Sequence, residues 1–198
     1  NELIFRMDTD DIAHPKRFEL QLKCLQDNPD ISIIGSTIEE FWREPGDIKQ
    51  YRRVPLTCLE IESSKLKRCP FNHMTVLFKK SAVEEVGGYL RMPNYEDFYL
   101  WVRLLSKHQG LNIPLPLVSA RIGNDMIGRR QGFVFFVKEI SFQTKLYNDK
   151  LIPFKLYLRN CIVRGIPRLL PKFILEKIYK KYLRYKSPQL LRHESSIF

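Results

Sequence analysis

Two groups of acidic residues could do chemistry in this sequence. The first comprises Asp8, Asp10 and Asp11, three carboxylates within four positions directly after a short apolar run. Alternation along an extended segment places Asp8 and Asp10 on the same face. Clustered carboxylates repel one another unless a cation or proton intervenes, and such oxygen ligands suit Mg²⁺ or Mn²⁺. A solvated turn in which Asp11 caps the following helix would explain the same residues without chemistry.

Three functional interpretations of this first acidic group compete. A calcium-binding EF-hand loop would have Glu19 at its twelfth position, but Ile12 and Ala13 replace a ligand and the required glycine, and Pro15 interrupts it. A phosphatase of the haloacid dehalogenase type starts with a similar DxD stretch, but its second acidic motif is not found. The third interpretation is the DxD motif of a nucleotide-sugar glycosyltransferase, whose carboxylates hold a metal that binds the donor diphosphate.

The second acidic group is Glu96–Asp97, at the start of a strongly apolar predicted helix. Asn94 would serve as its N-cap, and acids in the first turn suit the helix dipole. Alternatively, Asp97 is a general base that takes a proton from an attacking hydroxyl. On the next turn, Trp101 could stack on a sugar or lie in the core. Arg103 could support the base or a phosphate, or form a structural ion pair.

The elements that position these acids alternate between strands and helices. Apolar runs predict strands, periodic segments predict helices, and residues 44–55 read as a polar loop. The pattern predicts an α/β body followed by helices only, with the boundary near residues 123–132. The predicted strands are 3–7, 31–38, 75–78 and 117–122, and the predicted helices are 15–28, 59–66, 81–86, 95–107, 133–147, 154–163 and 169–185.

The net charge of +11 is concentrated in one part of the chain, because residues 151–198 contain 11 basic and 2 acidic residues. Nucleic-acid binding is one interpretation, but no helix-turn-helix, zinc-finger or RNA-binding aromatic motif supports it. Within residues 168–186, apolar residues recur at helical spacing and lysines occupy the remaining face. That composition is typical of an interfacial helix on an anionic membrane, although a helix packed on the body with a solvated charged face is the alternative.

The cysteines and the hydropathy indicate the compartment. Cys24, Cys58, Cys69 and Cys161 form no CxxC pair and no metal-binding spacing, which is typical of reduced thiols in a cytoplasmic protein. No run of 18 apolar residues predicts a spanning helix.

Four motifs, which follow one another in the order typical of the family, resemble glycosyltransferase family 2. Residues 7–18, MDTDDIAHPKRF, are similar to the family's MDxDDxxxPxRL stretch, and residues 70–76, PFNHMTV, to its P…HxTVM segment. Residues 87–89, GGY, and 95–104, YEDFYLWVRL, are similar to its GGY…EDYxLWLRL pattern. The sequence thus resembles bacterial transferases of capsule, exopolysaccharide and O-antigen synthesis, which have the GT-A fold.

The resemblance implies a role for each candidate residue. Asp8 and Asp10 would bind a divalent cation, Mn²⁺ or Mg²⁺, and through it a nucleotide-sugar donor, most simply a UDP-sugar. Asp97 would be the base and Glu96 would position the acceptor. His73 would line the active site, unless it is an ordinary loop histidine.

The resemblance also implies that the transfer inverts the configuration of the sugar. A single sugar would be transferred, because the (Q/R)xxRW motif of processive members is not found. The acceptor would be polyprenyl-diphosphate-linked, at the inner face of the plasma membrane, with the enzyme bound peripherally to that anionic surface and no nucleic acid as a partner.

Comparison with the family pattern suggests a domain organisation. The GT-A fold begins with a Rossmann-like half that would precede Asn1. Residues 1–125 would therefore be the C-terminal part of a GT-A catalytic domain, and residues 126–198 a basic helical extension. On this expectation the chain is truncated, inactive alone and unable to bind a nucleotide sugar tightly.

Overall fold

The computed structural model describes residues 2–123 and 131–171, Ile174, and the backbone of Arg184–Tyr185. Its strands are β1 (Leu3–Phe5), β2 (Ile12–Ala13), β3 (Ile31–Phe41), β4 (Gln50–Arg52), β5 (Leu77–Lys79), β6 (Gln109–Arg121) and β7 (Arg184–Tyr185). Its helices are α1 (Arg17–Asp27), α2 (Cys58–Ser64), α3 (Lys80–Glu85), α4 (Glu96–Leu104), α5 (Phe133–Asn148) and α6 (Phe154–Asn160). Short 3-10 segments cover His73–Thr75 and Ile166–Leu169, and a π-helical segment covers Cys161–Gly165.

Strand β3 is the centre of one mixed sheet. It runs parallel to β6 from Ile31 to Phe41, and its other edge pairs antiparallel with β5 and then with β4. Strand β1 extends the sheet beyond β5, while β2 pairs with β6. Ten of the eleven β3 residues are buried, as expected for a β-branched strand that is covered on both faces. The chain is therefore a mixed α/β protein, as predicted.

Most predicted elements are confirmed, with different lengths. Strand β3 continues to Phe41 and β6 begins at Gln109, so both are longer than predicted. Strand β4 lies inside the predicted loop, and β2 follows the first acidic group. The predicted helix over 169–185 is wrong at both described ends, because Leu170 is extended and Arg184–Tyr185 pairs with β4. Ile174 is helical, as predicted, and residues 172–173 and 175–183 lie outside the described residues.

The helices after residue 132 share a core with α4. Phe142 and Leu146 of α5 are fully buried in one cluster with Tyr95, Phe98 and other α4 residues. The Tyr95 and Phe142 rings stack with their centroids 4.6 Å apart. Residues 131–160 are therefore packed on the body, whereas the predicted boundary at 125/126 falls in a stretch outside the described residues. None of the helices in the described part of the chain is both long and apolar enough to cross a membrane.

A buried carboxylate, Glu139, connects α5 to the start of α4. It is fully buried, and it accepts hydrogen bonds from Arg164 Nε at 2.6 Å, Arg168 Nη2 at 3.2 Å and Tyr95 Oη at 2.8 Å. Burial alone would raise the pKa of Glu139, but the ion pair with Arg164 and these hydrogen bonds lower it to about 2. Because Tyr95 directly precedes α4, its hydrogen bond to Glu139 fixes the position of Glu96 and Asp97 at the start of that helix.

We expect Glu139→Gln to lower the free energy of unfolding by about 3–5 kcal/mol at neutral pH, because it leaves buried guanidinium groups without a carboxylate. The folded state binds fewer protons at Glu139 than the unfolded state. The stabilisation is therefore complete above the unfolded pKa, near pH 4.5, and is lost as the pH falls toward about 2. Urea unfolding should show a larger wild-type-to-variant difference at neutral pH than near pH 3. The exposed control Glu84→Gln should change little, and a pH-independent effect at Glu139 would contradict this assignment.

Candidate active site

The first acidic group lies in the loop between β1 and β2. The Asp8 carboxylate is partly buried and forms an ion pair with Arg6, whereas Asp10 is exposed. Asp11 Oδ1 accepts a hydrogen bond from the Arg121 backbone N at 2.9 Å, and its buried Oδ2 has no partner among the described residues. Burial raises the pKa of Asp11, and the charges of Asp10 and Asp8 add to this. The predicted helix-capping role of Asp11 is wrong, because it binds the end of β6 instead.

A buried arginine holds this loop in place. The Arg17 side chain is 1% exposed, and its guanidinium donates to Arg6 O at 2.7 Å, Met7 Sδ at 3.0 Å and Gln21 Oε1 at 3.0 Å. Gln21 Nε2 in turn donates to Thr75 O at 2.8 Å. Two residues of α1 thus tie the loop that carries Asp8 to the 3-10 segment that begins with His73.

His73 pairs with a tyrosine above a buried indole. Its Nε2 lies 2.8 Å from Tyr89 Oη, and both rings meet the Trp101 ring edge-on at centroid distances of 6.0 and 6.3 Å. Trp101 is fully buried, so neither face of its indole is open to a sugar. The predicted stacking role of Trp101 is therefore corrected. The indole belongs to the core that supports His73 and Tyr89 from below.

Arg103 holds the turn that leads to Tyr89. Its guanidinium donates to the carbonyl oxygens of Val86 and, at 2.7 Å, Gly88, and it lies over the Tyr99 ring at 4.6 Å. The turn contains Gly87 and Gly88, with φ values of 80° and 65° that favour glycine. The predicted contact of Arg103 with substrate or base is corrected to a structural role in this turn.

The second acidic group begins α4. Asp97 is partly buried, its Oδ1 accepts a hydrogen bond from the Phe98 backbone N at 2.7 Å, and Glu96 is exposed. The predicted N-cap role of Asn94 is wrong. This residue has a φ of 71°, and its Oδ1 accepts from Lys138 Nζ at 2.8 Å, while Tyr95 occupies the cap position without a side-chain cap.

Carboxylates of both acidic groups influence the pKa of His73. Burial lowers the pKa of His73, and the carboxylates of Asp97, Asp8 and Glu96 each oppose this by raising it. Burial also raises the pKa of Tyr89 to about 12, with further contributions from Asp97 and Glu96. The first group is also linked to His73 by direct contacts, because Arg17 binds Arg6 O and Gln21 binds Thr75 O.

Comparisons with known proteins identify relatives that align with nearly the whole chain. An uncharacterized glycosyltransferase of Haemophilus influenzae is 41% identical over 191 residues, which cover 91% of this chain and 67% of the relative. A UDP-Gal:alpha-D-GlcNAc-diphosphoundecaprenol beta-1,3-galactosyltransferase of Escherichia coli is 37% identical, covering 93% and 67%. The amylovoran biosynthesis glycosyltransferase AmsE of Erwinia amylovora is 33% identical, covering 91% and 68%. The chain belongs to the glycosyltransferases. No family model matches it.

In a glycosyltransferase, carboxylates such as these could bind a diphosphate through a cation and activate a hydroxyl. The described residues contain no group of three or more acidic, histidine or cysteine side chains that could enclose a metal ion. Mg²⁺ at such sites is usually held by one or two carboxylates, with substrate phosphates and water as its other ligands. The carboxylates of Asp8 and Asp10 therefore fit a cation that arrives with a diphosphate, provided that Asp8 is released from Arg6.

Sequence reasoning did not assign roles to Arg6, Arg17, Gln21 and Tyr89 in this glycosyltransferase. Arg6 could have been found, because it alternates with Asp8 along the extended segment and so shares its face. Tyr89 follows the two turn glycines, a position that a rigid turn would present to the site. The buried bonds of Arg17 and Gln21 had no comparable signal, because their partners are backbone atoms distant in sequence.

We expect NMR titration to place the pKa of the His73 imidazole below the usual value of about 6.5, because burial disfavours its charged form. In Asp97→Asn, that pKa should fall further, since the Asp97 carboxylate stabilises the protonated ring. The exposed control Asp30→Asn should leave it unchanged. An unaltered pKa in Asp97→Asn would show that the second acidic group does not reach His73.

Proposed function

We propose that this glycosyltransferase transfers a single sugar, with inversion, from a nucleotide-sugar donor to a polyprenyl-diphosphate-linked acceptor in bacterial surface polysaccharide synthesis. The observation that carries the proposal is that Arg17 and Gln21 tie the Asp8 loop to the segment that begins with His73, whose pKa, lowered by burial, is raised in part by the carboxylates of both acidic groups. The names of the relatives support the substrates, since the Escherichia coli enzyme is named for a UDP-sugar and a diphosphoundecaprenol acceptor. A UDP-sugar is accordingly the proposed donor.

In the proposed reaction, an acceptor hydroxyl oxygen attacks the anomeric carbon of the donor sugar. The new carbon–oxygen bond forms as the bond between that carbon and the diphosphate breaks, which inverts the configuration. Asp97 takes the hydroxyl proton, as its partly buried position at the start of α4 allows. Glu96, exposed beside it, accepts a hydrogen bond from a second acceptor hydroxyl and so orients the sugar.

In this proposal, the first acidic group binds the part of the donor that leaves, its nucleoside diphosphate. Asp8 and Asp10 would hold a divalent cation, which would supply positive charge for the departing nucleoside diphosphate. The Arg6 guanidinium forms an ion pair with Asp8 and so lies beside the same carboxylates, where it can pair with a phosphate oxygen of the donor. We assign Mn²⁺ or Mg²⁺ to the site on the basis of its oxygen donors.

In this proposal, the His73–Tyr89 pair lies between the carboxylates that bind the donor and those that act on the acceptor. With its pKa lowered by burial, His73 is neutral at physiological pH and adds no charge between the two groups of carboxylates. The Tyr89 side chain is 45% exposed, so the hydroxyl that contacts His73 can also reach a bound sugar. The pair therefore orients substrate hydroxyl groups at the boundary between donor and acceptor.

We expect Asp97→Asn in the full-length protein to lower kcat by about 10²–10⁴-fold, because the general base is lost while the side-chain shape is kept. Donor affinity, measured by calorimetry with a UDP-sugar and Mn²⁺, should stay within error of the wild type. Asp30→Asn is the matched control for loss of an exposed carboxylate, and it should leave both quantities unchanged. Full turnover in Asp97→Asn would reject the assignment. Phosphate release that depends on Asp8 but not on Asp97 would favour a phosphatase instead.

A further inference from the structure

Residues 133–169 form a helical hairpin. Helix α5 forms its first arm, and α6 with the π-helical and 3-10 segments up to Leu169 forms the second. The arms are antiparallel, because Thr144 Oγ1 lies 3.4 Å from Tyr157 Oη, and the Gly132 backbone N donates to Arg168 O at 2.8 Å. Both arms bury one face against the body through side chains such as Phe142 and Asn160.

The outer face of the second arm is apolar and exposed. Its large side chains recur almost every four residues, the spacing that places them on one side of a helix. We name this set the hairpin stripe. It consists of Phe154 at 55% exposure, Leu158 at 45%, Ile162 at 58%, Ile166 at 50% and Leu169 at 50%. A contiguous exposed stripe of this kind marks an interaction surface, because soluble proteins usually scatter such residues singly.

The segment that carries the hairpin stripe has charges of one sign. Residues 150–171 contain five basic residues and neither aspartate nor glutamate. Arg164 and Arg168 point inward to Glu139, while Lys155 and Arg159 lie exposed between the stripe positions. An apolar stripe whose own segment carries only cations is complementary to a surface that is apolar inside and anionic outside.

We propose that the hairpin stripe inserts into the interfacial layer of an anionic lipid bilayer. This inference rests on the proposed function in one respect, namely that the acceptor is lipid-linked. A bilayer accounts for both features of this segment. Its acyl chains cover the apolar residues, and its anionic headgroups would repel acidic residues, which the segment lacks.

The hairpin also connects the proposed membrane surface to the candidate site. Lys138 of α5 donates to Asn94 Oδ1 at 2.8 Å, and Glu139 accepts from Tyr95 Oη at 2.8 Å. These contacts are made to the two residues directly before Glu96. The element that binds the bilayer is therefore the one that fixes the start of α4, which keeps the proposed base within one packed unit of the membrane that carries the acceptor.

Vesicle flotation tests the proposal without any acceptor present. The wild-type protein should float with phosphatidylcholine vesicles that contain phosphatidylglycerol, less with phosphatidylcholine alone, and less at high salt. The combined variant Leu158→Gln, Ile162→Gln and Ile166→Gln should lower the partition coefficient about tenfold or more, since three apolar contacts are lost. All three side chains are exposed, so the fold should be retained, which circular dichroism checks.

The control is Leu59→Gln, an exposed apolar residue on α2, which should leave vesicle binding unchanged although its side chain is 83% exposed. Wild-type flotation by the triple variant would overturn the proposal, because membrane binding would then reside in another part of the chain. Concentration-dependent dimers without lipid that the triple variant abolishes would also overturn it, in favour of a second copy. Turnover of a soluble short-chain acceptor analogue tests the proposed function separately and should be equal in the triple variant and the wild type.

Discussion

The buried guanidinium of Arg17 and the amide of Gln21 constrain the candidate active site more than any other contact. A charge at this depth is costly unless its donors are paired, and burial lowers the pKa of Arg17 to about 10. Its partners are the backbone oxygen of Arg6 and the sulfur of Met7, which end the first strand. Gln21 in turn donates to Thr75 O, so the position of the loop that carries Asp8 and that of His73 are set together.

A second buried polar cluster, formed by Glu139 and its partners, positions the proposed base, Asp97. Glu139 accepts hydrogen bonds from two guanidinium groups and from the Tyr95 hydroxyl, and these bonds fix the start of α4. Between the two clusters, the Trp101 indole supports the His73–Tyr89 pair. The reactive carboxylates remain near the surface, whereas the groups that position them are buried, which is the arrangement expected for a preorganised site.

The sequence predicted the parts of this structure that depend on local patterns. Periodicity located β3 and the helices α1 to α6, and clustered carboxylates located both acidic groups. The two- and three-residue strands β2 and β4 were missed, because such short segments have no measurable periodicity. The roles expected of Trp101, Arg103 and Asn94 were corrected by partners elsewhere in the chain, such as the Val86 and Gly88 carbonyls for Arg103 and the Lys138 ammonium for Asn94. Tertiary contacts of this kind decide whether a polar or aromatic residue faces substrate or supports the fold.

In the proposed function, the loop that carries Asp8 and Asp10 and the proposed base, Asp97, belong to one site. Paramagnetic relaxation by Mn²⁺ in the presence of UDP measures this directly in the isotopically labelled full-length protein. The account predicts that Mn²⁺ broadens the amide resonances of Asp8 and Asp10 most, and next those of His73, Tyr89 and Asp97, while those of the hairpin stripe stay sharp. Broadening that spares residues 73, 89 and 97, or no specific broadening near Asp8 and Asp10, would contradict it.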